Sequence, residues 1–134
     1  MGKKEEAAML HMSGANCAQA VVTVFADELN ADKETLFAAA EGFGLGGGNM
    51  ESICGALSGA MMVASLENSD RNIEAPKTKG STYKITAKLQ EEFEKVAGAK
   101  TCKAIKGIET GKVLYSCPDC ISLGIKLAEK LLAK

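Results

Sequence analysis

The chain has 134 residues, 46% hydrophobic and 25% charged, with a formal net charge of −1. That length buries one core without disulfide staples, and so balanced a charge offers no basic surface to nucleic acid or to an anionic membrane. Aromatic residues make up 4% and Trp is absent, which removes the stacking platforms of a single-strand binder.

The opening Met-Gly-Lys-Lys-Glu-Glu lacks the apolar core of a signal peptide, so the chain reads as cytoplasmic. Position 6 is Glu, where N-myristoylation wants Ser or Thr. Lys3 to Met12 predicts a modest amphipathic helix, with Ala7, Ala8 and Leu10 to Met12 as its apolar side. His11, the one histidine, reads as a surface residue of that helix. Ser13-Gly14-Ala15 breaks it, and Asn16 with Gln19 three residues on forms a capping box. The next helix carries Cys17, Val21, Val24, Phe25 and Glu28 at helical spacing, with Cys17 in its first turn. Asp32 caps a third, whose apolar face is Leu36, Phe37 and Ala40, and Gly42 takes the left-handed position that ends it.

Gly42 to Ala60 organises the rest. Gly44, Gly46, Gly47 and Gly48 form a turn free to adopt positive φ, Asn49 then caps a helix, and Cys54 lies one turn inside it. From Ile53 to Leu66 the residues are apolar or small, with Gly55, Gly59 and Ala56, Ala60, Ala64 at four-residue spacing. A neighbouring helix can therefore pack close to this backbone, so this is the central, most buried helix. It is too short and too rich in Gly and Ser to cross a bilayer. Gly42 to Gly47 also fits a dinucleotide-type GxGxxG, but no strand precedes it.

Asn68 to Gly80 is a polar surface loop. A helix from Ser81 or Thr82 follows, with Ile85, Leu89, Phe93 and Val96 on one stripe and Gly98 closing it. Cys102 to Ile105 makes a short helical turn stopped by Gly107, and Ile108 to Tyr115 is loop. The last helix runs from Pro118 to about Leu132. No period-two pattern persists, so the fold class is all-α: one domain over 1–134, a bundle of five to six helices.

Five cysteines in a chain without an export signal point to redox chemistry, metal binding or simple burial rather than to a disulfide framework. Cys117-Pro118-Asp119-Cys120 is a CxxC at a helix start. Proline favours the first helical position, which makes Cys117 the N-cap and Cys120 the third residue in. Unpaired amides and the positive end of the helix dipole favour a thiolate there, so Cys117 is expected to ionise below the free value. Taken singly, Cys17 and Cys54 are as well explained as core. Cys102, between Lys100 and Lys103, is either activated by charge or exposed.

Cys17 in Asn-Cys-Ala-Gln-Ala-Val, the glycine run into Cys54-Gly-Ala-Leu-Ser-Gly-Ala, Cys102 with Gly107 behind it, and Cys120 in Cys-Pro-Asp-Cys-Ile together resemble the C_GCAxxG_C_C family of redox-active proteins. The resemblance covers Asn16 to the C-terminus and implies a small helical protein whose four defining cysteines fall on Cys17, Cys54, Cys102 and Cys120. Cys117 is additional to those four. The same module is similar to part of the split-Soret cytochromes c, which are dimeric and carry haem. This chain has no Cys-x-x-Cys-His, so covalent haem does not carry over.

Three readings follow. In the first, the protein performs thiol–disulfide exchange or electron transfer, with Cys117 and Cys120 attacking and resolving, and Cys17 and Cys54 as the alternative pair. In the second, Cys17, Cys54, Cys102 and Cys120 hold an iron–sulfur cluster or zinc. In the third, the glycine loop of a binding module recognises a partner and the cysteines are core. The dithiol switch is preferred, with a redox partner or small molecule as its counterpart and a homodimer through a remaining apolar face. Cys17 and Cys54 are expected to face a shared pocket with Cys120 nearby.

Overall fold

The computed structural model describes residues 2–133. Its helices are α1 (Lys3–Met12), α2 (Cys17–Thr23), α3 (Lys33–Ala40), α4 (Gly55–Asn68), α5 (Lys79–Ala97), α6 (Cys102–Lys106) and α7 (Cys117–Leu132). Among the described residues there is no strand, so the all-α class holds, and these seven helices sit close to the five or six that the sequence suggests. A further short turn at Gly44–Gly47 is interrupted by left-handed φ at Leu45 and Gly46, and α6 is five residues long where the sequence suggests a short turn over Cys102 to Ile105. No helix of the described residues is long and apolar enough to cross a membrane.

Helix α4 is the hub, packed against α2, α5 and α7, while α1 lies on α2 and α7. Its residues from Gly55 to Ala60, with Val63 and Ala64, are buried. The small residues set how near the neighbours come. A Cβ at Gly59 would stand 2.8 Å from Val21 Cβ and 3.0 Å from the Ala18 carbonyl on α2. On the other side, a Cβ at Gly124 of α7 would meet the Ala56 carbonyl at 2.8 Å. Phe25, Phe93, Leu57 and Ile125 fill the space between the helices and are almost fully buried, each contributing on the order of 1.5–3 kcal/mol.

Several local expectations are corrected. Helix α2 stops at Thr23, short of Asn30-Ala31, where the sequence places its end. Beyond it Phe25 and Ala26 bond back three residues, to Val22 and Thr23. The Val-Val-Thr-Val run has little χ1 freedom in a helix, which favours that tighter geometry. Gly42 does not reverse the chain. The backbone continues into a 3₁₀ turn at Glu41–Phe43, and left-handed φ begins at Leu45 (52°) and continues through Gly46, Gly47 and Gly48. Phe37 and Val96, assigned to buried faces, are 36% and 54% exposed; Ala40 and Ala97 take the inward positions instead.

Two helix starts are displaced as well, and both bear on cysteines. Asn49 caps no helix: its side-chain oxygen accepts from the Glu51 amide at 3.0 Å, a local turn. Cys54 is therefore not one turn inside α4 but its N-cap. At α7 the N-cap is Ser116, whose hydroxyl accepts from the Asp119 amide, which moves Cys117 to the first helical position and Cys120 to the fourth. Serine caps well because its oxygen reaches a free amide.

Candidate functional site

Every cysteine stands at or near a helix start. Cys17 is the first residue of α2, behind the Asn16–Gln19 capping box, in which both reciprocal bonds form. Cys102 is the first residue of α6, while Cys54 caps α4 and Cys117 and Cys120 lie in the first turn of α7. These starts converge on one cavity of about 180 Å³, and all five thiols line it. His11, Asn16, Leu45, Lys106 and Tyr115 complete its walls, with no carboxylate among them.

The convergence has identifiable causes. Residues 50–54 run antiparallel to 100–103: Ile53 bridges Thr101, the Cys54 amide donates to the Lys100 carbonyl at 2.7 Å, and the Cys102 amide to the Ser52 carbonyl at 3.0 Å. This clamp sets Cys54 and Cys102 side by side. The glycines let the remaining segments close in. A Cβ at Gly46 would lie 2.5 Å from Cys102 Cβ, and one at Gly55 would lie 3.2 Å from Cys17 Cβ and 3.1 Å from the Ala18 amide nitrogen. Gly46 also has a φ of +56°, which residues with a side chain rarely adopt.

Within the cavity the thiols are not equivalent. Cys54, Cys102 and Cys120 are buried; Cys17 and Cys117 are half-buried. Cys54 occupies the N-cap of α4, where its side chain makes no capping hydrogen bond. Its thiolate is favoured by the neighbouring Cys120 thiol, by the Ala56 and Leu57 amides at the helix start and by the Lys106 ammonium. Together these outweigh burial and bring the Cys54 thiol down from 9.0 to about 7. The Cys120 thiol is driven upward, first by its neighbour Cys54 and then by burial. Of this pair the charge belongs on Cys54, which stands at the start of α4 beside free backbone amides.

Burial, with the negative charge of Cys54 and Cys117 and a hydrogen bond with Cys117, pushes the Cys17 thiol up to about 12. Cys102 is raised by burial and partly held down by Lys106. All five are free thiols. As they stand, no group of three or more His, Cys, Asp or Glu side chains among the described residues is arranged to hold a metal ion. The four cysteines expected as ligands share the cavity without forming a ligand set.

A protein-family model described as "Putative redox-active protein (C_GCAxxG_C_C)" matches residues 15–131. The chain belongs to the C_GCAxxG_C_C family. No curated protein and no solved structure matches it. In this C_GCAxxG_C_C protein the motif's glycines are contact points between cysteine-bearing segments: Gly55 meets the start of α2, and Gly59 lets α2 approach α4.

Three wall residues escaped sequence reasoning. His11 Nδ1 lies 3.0 Å from the Ala15 carbonyl; a carbonyl only accepts, so Nδ1 carries the proton and Nε2 is the free nitrogen. Nothing in the sequence links His11, Lys106 or Tyr115 to the cysteines, because only the fold brings α1, α6 and the 108–115 loop to one cavity.

Proposed function

We propose that this protein is a thiol–disulfide oxidoreductase in which Cys54 is the nucleophile and Cys120 the resolving cysteine. The reading rests on one observation: Cys54 occupies the N-cap of α4 in a cavity it shares with Cys120, where that thiol, the Ala56 and Leu57 amides and Lys106 favour its thiolate. A thiolate is the attacking species, and one with a pKa near ambient pH is the best compromise between ionised fraction and nucleophilicity.

The steps balance as follows. The Cys54 thiolate attacks one sulfur of a small disulfide, forming a mixed disulfide and releasing the other half as a thiolate. Cys54 then carries no charge to hold Cys120 protonated. Cys120 gives its proton to the released thiolate and attacks Cys54 sulfur, expelling the second half as thiolate. Two electrons have passed from the protein to the disulfide, and a Cys54–Cys120 disulfide remains. The substrate is small because Cys54 is only 6% exposed and is reached through the cavity.

The test is a trapping experiment. Cys120→Ser keeps a hydrogen-bond donor but cannot resolve. Treated with 2-hydroxyethyl disulfide, it should accumulate a mixed disulfide mapped by mass spectrometry to the Cys54 peptide, while wild type releases two thiols for each disulfide consumed and accumulates no adduct. A trapped adduct on Cys117 instead would restore the CxxC switch expected from sequence. Four thiols that bind iron or zinc stoichiometrically and resist the disulfide until chelation would favour the ligand reading.

A further inference from the structure

We propose that Cys17 and Cys117 form a second dithiol, which passes electrons to the Cys54–Cys120 pair across their shared cavity. This rests on the exchange reading above and adds an electron-entry site to it. The CxxC is the motif which that reading leaves half used: Cys120 is engaged with Cys54, and Cys117 is not.

Three observations carry the inference. Cys17 and Cys117 line the same cavity as Cys54 and Cys120. Cys117 acts on the charge of Cys17, as Cys54 acts on that of Cys120. The burial is graded, with Cys17 and Cys117 half-buried and Cys54 and Cys120 only 6% and 2% exposed. A reductant too bulky for the cavity reaches the first pair and not the second.

In the transfer, the Cys117 thiolate attacks Cys120 sulfur in the Cys54–Cys120 disulfide, and Cys54 departs as a thiolate. Its low pKa makes it the better leaving group of the two. Cys17 then gives up its proton and attacks Cys117 sulfur, expelling Cys120, which is reprotonated. Two electrons have moved inward, and the Cys17–Cys117 disulfide is left in the more exposed position. An external dithiol reduces it by the same exchange, becoming a disulfide itself. Cys102 lies outside both pairs and stays reduced throughout.

The experiment is oxidation of the full chain with excess diamide, followed by alkylation under denaturing conditions and disulfide mapping. The expected product has lost four hydrogens, is alkylated only at Cys102, and contains Cys54–Cys120 and Cys17–Cys117. Cys117→Ser should lose only two hydrogens, and fully reduced Cys117→Ser should reduce one equivalent of 2-hydroxyethyl disulfide where wild type reduces two. Its Cys54–Cys120 disulfide should also be re-reduced more slowly by thioredoxin used as a bulky dithiol. Wild type that forms Cys54–Cys120 and leaves Cys17 and Cys117 alkylatable would overturn the second dithiol while leaving the first intact. A Cys117–Cys120 product, or none at all, would overturn both.

Discussion

Removing the Cys120 thiol should uncouple Cys54 from its activated state. The neighbouring Cys120 thiol is the largest influence lowering Cys54, ahead of the Ala56 and Leu57 amides and Lys106. At about 7, roughly half of Cys54 is ionised at neutral pH. In Cys120→Ala, burial still opposes the charge with less to offset it, so the midpoint should rise by about one unit or more. The thiolate fraction at pH 7 then drops about fivefold. The rate of alkylation falls less, by about twofold, because intrinsic nucleophilicity rises with pKa. The midpoint is therefore the informative quantity, obtained from the pH dependence of iodoacetamide labelling of the Cys54 peptide. Cys120→Ser, which keeps a donor, should fall between the two. A Cys120→Ala midpoint unchanged to within about 0.3 units would refute the reasoning, since the amides alone would then account for the acidity of Cys54.

Other consequences are open to direct measurement. Lys106→Gln should raise the same midpoint by less than Cys120→Ala does, since the ammonium is the weakest of the influences on Cys54; an equal or larger shift contradicts that order. Gly59→Leu forces a side chain into Val21 and the Ala18 carbonyl, costing on the order of 1–3 kcal/mol or more through overpacking, and a melting temperature within about two degrees of wild type would disprove the close α2–α4 packing. Stability should fall as pH rises above 9. Cys17 has its folded pKa raised from 9.0 to about 12, so its contribution is complete below 9 and lost between 9 and 12. Cys102 and Cys120 act in the same direction. Cys54 acts oppositely, its contribution complete above 9 and fading as pH falls toward 7. Above 9 only the raised thiols still change, so thermal melts should move down there and do so less in Cys17→Ser.

Much of the fold was legible because it is written locally. The Asn16–Gln19 capping box, the Asp32 cap, and Gly98 and Gly107 as helix stops are short-range signals and occupy their expected places. The small-residue spacing of α4 identified the central helix for the same reason. Helix starts were misplaced where two residues competed for one cap. Asn49 lost to its own local turn, and Ser116 displaced Cys117, and each shift changed what a cysteine is. Sequence placed the activated thiol at Cys117 through the helix-start argument. The same argument extends to Cys54, which occupies the N-cap of α4. The pairing of the thiols was not legible, because it depends on the antiparallel clamp between 50–54 and 100–103 and on glycine contacts between distant segments.

The most direct measurement is a brief iodoacetamide pulse on the fully reduced, metal-free protein at neutral pH, quantified peptide by peptide for all five cysteines. Cys54 should be labelled first despite its burial, with Cys17, Cys102 and Cys120 slow because their thiols are held protonated. Labelling led by Cys117, or uniformly slow at all five, would contradict a thiolate at the start of α4.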